Sequence, residues 1–193
     1  MTVRLRAPMP LFTAGALLYA AAAAVWMTMV PDGALNAVEL LIPLFGVPFL
    51  LLGRCPRWRT ALYLLLLVPT FHFAAVTAAM HSLDGMGRNG LLPPGAVGGL
   101  TGATLSFLAL VILRLASWRA AGTMAVGIAV LTLLGYVGID KMDFLQGTRW
   151  SGYDVLLALY LPWQIAFGFF LSRLLRVPPK VEPAACPNPN GAP

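Results

Sequence analysis

The candidate side chains for binding a ligand or moving a proton are His72, His81, Asp84, Asp140, Asp143 and Asp154. His81 and Asp84 are three residues apart, as are Asp140 and Asp143, so on a helix each pair projects from one face. Carboxylate oxygen and imidazole nitrogen are ordinary ligands for a divalent cation, and the same groups serve as general acid and base. The set therefore admits a site for a cation or small solute, acid–base chemistry on a lipid, or plain bracing of loops through pairs such as Asp84 with Arg88. No nucleophile motif or cofactor fingerprint accompanies these residues. No cofactor is expected, catalytic residues cannot be assigned, and the identity of any metal is not encoded.

His72 stands apart from the others. It lies within Phe71-His72-Phe73, about eight residues inside an apolar run, where no Asp, Glu, Lys or Arg is found at comparable depth. An ionisable group deep in lipid is costly and marks function by default. No second histidine sits at a matching depth, so a bis-histidine haem is not expected. The ordinary arrangement is a hydrogen bond across helices, with Gln164, Thr70 and Thr77 as candidate partners.

The elements that must position these residues follow from composition. Of 193 residues, 59% are hydrophobic and only 10% charged, with a mean hydropathy of +0.81. A soluble domain carries about 25% charged residues to cover its surface. This chain cannot do so, and its long apolar runs point to lipid. They predict an all-α, polytopic integral membrane protein with six transmembrane helices over residues 10–30, 36–52, 61–80, 95–113, 120–138 and 153–171. The first run is too long for a signal-peptide core and is read as a retained span. The second is interrupted by Pro43, Gly46 and Pro48, which makes it the candidate for a broken helix lining a pathway. Residues 1–176 form the membrane domain, and residues 177–193, dense in proline, read as a disordered cytoplasmic tail.

Charge placement orients the bundle. Arg4, Arg6, Arg54, Arg57, Arg59, Arg114, Arg119, Arg173, Arg176 and Lys180 fall on one side, with Glu182. Arg88, Lys141 and Arg149 fall on the other, with Asp32, Glu39, Asp84, Asp140, Asp143 and Asp154. The positive-inside rule puts the first side, and both termini, in the cytoplasm of a bacterial plasma (inner) membrane. The net charge of +6 thus reflects topology, and no nucleic-acid partner is expected. Cys55 and Cys186 match no redox or zinc spacing. Met80 beside His81, with Met27, Met29, Met86 and Met142 at the same side, would suit Cu(I), although methionine also fills gaps between helices.

A weak repeat overlies this pattern. Arg54 and Trp58-Arg59 recur sixty residues on as Arg114 and Trp118-Arg119, and the His81–Asp84 pair is echoed by Asp140–Asp143. Duplicated two-helix hairpins, a common device in transporters, would produce it. The expectation is a small transport protein or transporter subunit for a small solute or cation, with an outward-facing polar vestibule lined by His81, Asp84, Asp140, Asp143 and Asp154 above His72. The alternatives are a membrane-embedded enzyme acting on a lipid and a non-catalytic accessory subunit of a larger membrane complex. The bilayer is the expected partner, with self-association or a larger complex compatible with the sequence.

Overall fold

Met9–Met29 contains no Asp, Glu, Lys, Arg or glycine–proline break after Pro10, and it forms one continuous helix, α1. Its buried residues Phe12, Ala16, Tyr19, Ala23 and Met27 recur every three or four positions and make a single stripe, while Leu17 and Val25 on the opposite face are each 54% exposed. The same inversion holds through the bundle: Phe73, Ile112, Val126 and Leu133 all project outward. A surface this apolar is stable against lipid rather than water.

The computed structural model describes residues 9–29, 39–52, 58–85, 93–144 and 159–175, with side chains at all of these but 39, 83–85 and 140–144. Among the described residues every regular element is helical and no strand occurs. Four helices are long and apolar enough to cross a membrane: Met9–Met29, Trp58–Ser82, Pro94–Ile112 and Trp118–Ile139. Each lies within three residues of an expected span. The other two expected spans are represented by shorter pieces, the apolar stretch Leu40–Leu52 and the 14-residue helix Leu161–Leu174. Part of the expected 153–171 run lies outside the described residues. So do Asp154, Cys55, Cys186, Arg88, Arg149 and the tail 177–193.

Prolines decide where the helices change character. Glu39–Phe45 is a 3-10 segment with Pro43 inside it. Gly46 then turns the chain into α2 (Val47–Leu52), its amide donating to the Pro43 carbonyl at 3.0 Å. The next helix, α3 (residues 58–85), starts as Trp58–Leu62, widens to a π-helical turn over Tyr63–Leu67, and resumes as Val68–Gly85 with Pro69 in second place. A proline ring crowds the carbonyl four residues before it, and the wider turn relieves that crowding. The same device opens α6 (Leu161–Leu174), where a π turn at 159–160 precedes Pro162.

Between them lie α4 (Pro94–Ile112) and α5 (Ala121–Phe144). Arg114 closes α4 in the left-handed conformation (φ 59°), so that the Leu115 amide reaches back to the Leu110 carbonyl at 2.8 Å. Ser117 then caps the short 3-10 turn Trp118–Ala120 that leads into α5.

Neighbours in sequence are neighbours in space, and α6 closes the circle against α1. Gly95 meets Gly135 while Phe107 meets Gly127, so α4 and α5 run antiparallel. Gly98 meets Ala79 while Tyr63 meets Ser106, which makes α3 and α4 antiparallel as well. Phe12 packs on Gly168 and Tyr19 faces Tyr160, so α1 and α6 are antiparallel too. The α4–α5 seam is among the closest, with Gly15 of α1 set equally tightly against the Phe45 carbonyl oxygen. At Gly95 a Cβ would strike the Gly135 carbonyl oxygen, and at Gly99 it would lie 2.8 Å from the Leu131 carbonyl oxygen. Only glycine permits backbones to approach so closely.

Candidate functional site

The ring of helices lines a cavity of about 110 Å³ that is partly open on one side. Its walls are Val68, His72, Ala75, Val76 and Ala79 of α3, Gly95, Gly98, Gly99, Gly102 and Ser106 of α4, and Gly135 and Ile139 of α5. Leu159, Tyr160, Trp163, Gln164 and Phe167 complete it from the α6 side, with Ile42 and Phe45 from the 3-10 segment. The space exists because one wall is glycine and alanine: the close α4–α5 seam needs small residues, and the same residues leave volume on their inner face.

Below the cavity an aromatic cluster fills the bundle. Phe167 stands at its hub, 5.9 Å from Phe45, 5.9 Å from Phe107 and 5.2 Å from Trp163, ring centre to ring centre. Phe12 stacks on Phe49 at 4.8 Å one layer further on. This cluster lies toward the helix ends that carry Trp58, Arg59, Trp118 and Arg119, so the cavity belongs to the opposite half of the bundle. Tyr63 fastens that floor, its hydroxyl donating to the Ser106 carbonyl oxygen at 3.2 Å.

The polar groups of the cavity are few. None of its described lining residues is Asp, Glu, Lys or Arg. His72 Nε2 and Gln164 Oε1 are both buried and have no hydrogen-bond partner, and Gln164 as a whole is only 6% exposed. Buried polar atoms are normally paired, and an unpaired one costs about 1–3 kcal/mol. Both follow a proline-marked π turn closely, His72 three residues after Pro69 and Gln164 two after Pro162. The helix irregularities and the unpaired atoms therefore converge on one space.

The candidate residues fare differently. His72 lines the cavity, but the cross-helix hydrogen bond expected of it does not form. Thr70 and Thr77 instead donate to carbonyls of their own helix, at Leu66 and Phe73. Gln164 shares the cavity with His72 without bonding to it. His81 is exposed near the end of α3 and does not line the cavity. The backbones of Asp84, Asp140 and Asp143 are helical, so the three-residue spacing of both pairs falls on helix, but their side chains lie outside the described residues, as does all of Asp154. Among the described residues no three His, Cys, Asp or Glu side chains gather as a metal site would require.

Nothing in the sequence marks Gly98, Gly99, Gly102, Ser106, Tyr160 or Trp163 as cavity residues. Each is an ordinary residue of an apolar helix until the opposite wall is known. No family model matches the chain, and neither a curated protein nor a solved structure does so.

Proposed function

We propose that this chain is a small membrane transport protein, or the solute-binding subunit of one, and that the central cavity is where the solute resides. The observation that carries this reading is the pair of unpartnered buried atoms, His72 Nε2 and Gln164 Oε1, in one cavity inside a bundle with a lipid-compatible surface. A space held open by glycines and furnished with unused hydrogen-bonding atoms is suited to a guest. None of the described wall residues is charged, which favours a neutral solute over a free cation, because a bare ion would find no opposite charge among them to offset its loss of water.

In this reading the pieces Leu40–Leu52 and Leu161–Leu174 belong to the second and sixth spans of a six-span bundle. The end bearing Arg59, Arg119 and Arg173 faces the cytoplasm of a bacterial inner membrane, with both termini there. The cavity then lies in the outer half. By the sequence, Asp84, Asp140, Asp143, Asp154 and His81 belong to the outer side, where a solute would arrive first. The Trp58-Arg59 and Trp118-Arg119 repeat fits this arrangement, since both tryptophans begin a long helix at the basic end, 69% and 68% exposed.

The test is a comparison of small-molecule content in the medium of cells expressing the wild-type chain and cells expressing Ala75→Phe, whose ring would occupy the cavity. At least one solute should be depleted or accumulated by the wild type and not by the variant at equal membrane abundance. Identical profiles would overturn the proposal. Altered lipids without altered solutes would favour the enzyme reading instead.

A further inference from the structure

We infer that the occupant of the cavity is a neutral, hydroxyl-bearing molecule of roughly single-ring size. This inference rests on the reading of the cavity as a binding site and gives it a ligand class.

Size comes first. A cavity of about 110 Å³ is somewhat smaller than the roughly 150 Å³ apolar cavities that accept benzene. It therefore suits a small carbon skeleton. Water can pair with His72 Nε2 and Gln164 Oε1, but it leaves the apolar wall of Val68, Val76, Ile139 and the glycines without contacts.

Polarity comes next. His72 Nε2 enters from α3 and Gln164 Oε1 from α6, each buried and unpaired. An imidazole nitrogen donates or accepts according to its tautomer, whereas an amide oxygen only accepts. A hydroxyl suits either atom, donating its proton to the Gln164 oxygen or accepting from a protonated His72 Nε2. It adds one polar heavy atom and leaves the rest of the volume to carbon. A carboxylate brings no donor for the Gln164 oxygen and carries a charge that none of the described wall residues balances. An ammonium meets the same unbalanced wall. The aromatic surround of Tyr160, Trp163 and Phe167 favours a flat or unsaturated skeleton, because rings stack at 4.5–7 Å centroid separations on such faces.

Fluorine NMR of the full chain in lipid nanodiscs tests this with four probes of one shape: 4-fluorophenol, 4-fluorotoluene, 4-fluorobenzoate and 4-fluorobenzylammonium. Partition into the lipid is subtracted with nanodiscs holding Ala75→Phe. We expect saturable binding of 4-fluorophenol, roughly five- to tenfold tighter than 4-fluorotoluene, as one net hydrogen bond implies, and no saturable binding of either ion. His72→Phe and Gln164→Leu, which keep the shape of the wall, should each erode that preference, and the double variant should bind phenol and toluene alike. Equal affinity of the phenol and the toluene for the wild type would overturn the ligand class while leaving the cavity a binding site. Absence of saturable binding by every probe would overturn the ligand class and the cavity reading together.

Discussion

The imidazole of His72 and the ring of Tyr160 meet across the cavity, centroids 5.4 Å apart and planes tilted by 41°. Tyr160 in turn faces Tyr19 at 6.4 Å, so α3, α6 and α1 are joined by a line of three rings. His72 thus has two separable roles, a ring that packs and a nitrogen without a partner. His72→Phe keeps the first and removes the second, so its thermal stability in detergent should equal or exceed that of the wild type. His72→Ala removes both and should lose about 2–4 kcal/mol to the void it leaves. Equal losses in the two variants would show that the nitrogen is bonded after all.

The α4–α5 seam predicts a contrast between glycines. Gly135→Val places a branched side chain against the Gly95 carbonyl oxygen, 2.5 Å from where a Cβ alone would already sit, and backbone cannot give way there. The expected loss is at or above the upper end of the ~1–3 kcal/mol typical of overpacking. Gly122→Ala meets nothing within 4 Å and should be neutral or gain up to about 1 kcal/mol from helix propensity. Unfolding in a graded detergent series reads both.

Phe107 is 1% exposed, lies against Phe167 and Phe170, and fills the notch left by Gly127. Phe107→Ala should cost about 3–5 kcal/mol, while Leu108→Ala, one position round and 43% exposed on the outer face, should cost far less. The same unfolding series checks the pair.

The orientation proposed for the bundle is testable by thiol labelling. A membrane-impermeant maleimide applied to intact cells should leave Cys55 and Cys186 unmodified and should modify a cysteine introduced as Asn89→Cys. Lysed cells should lose the difference. The reverse pattern would invert the topology.

Much of this architecture is visible in the residues. The four long helices fall where the apolar runs predict, because membrane-crossing length and freedom from charge are local properties that need no knowledge of neighbours. The proline-broken second segment is visible for the same reason, since Pro43 and Pro48 cannot donate and Gly46 bends freely. His72 announces itself as an ionisable group in an apolar run. Its setting does not. That Thr70 and Thr77 turn back on their own helix, and that the empty space lies between His72 and Gln164, depends on the rotation of α3 against α6, which no pattern within either helix records. The π turn over Tyr63–Leu67 is equally silent, with Pro69 its only trace.

The glycine seam has a mechanical consequence. Where Gly95 and Gly135 bring two backbones into contact, α4 and α5 have no side-chain cushion between them and behave as one stiff plate. The facing wall is built differently, from α3 and α6, each carrying a proline at the level of the cavity and a π turn just before it. Compliance is therefore distributed unevenly round the ring. Any swelling or shrinking of the cavity falls to the proline-marked side, which is also the side that presents His72 and Gln164.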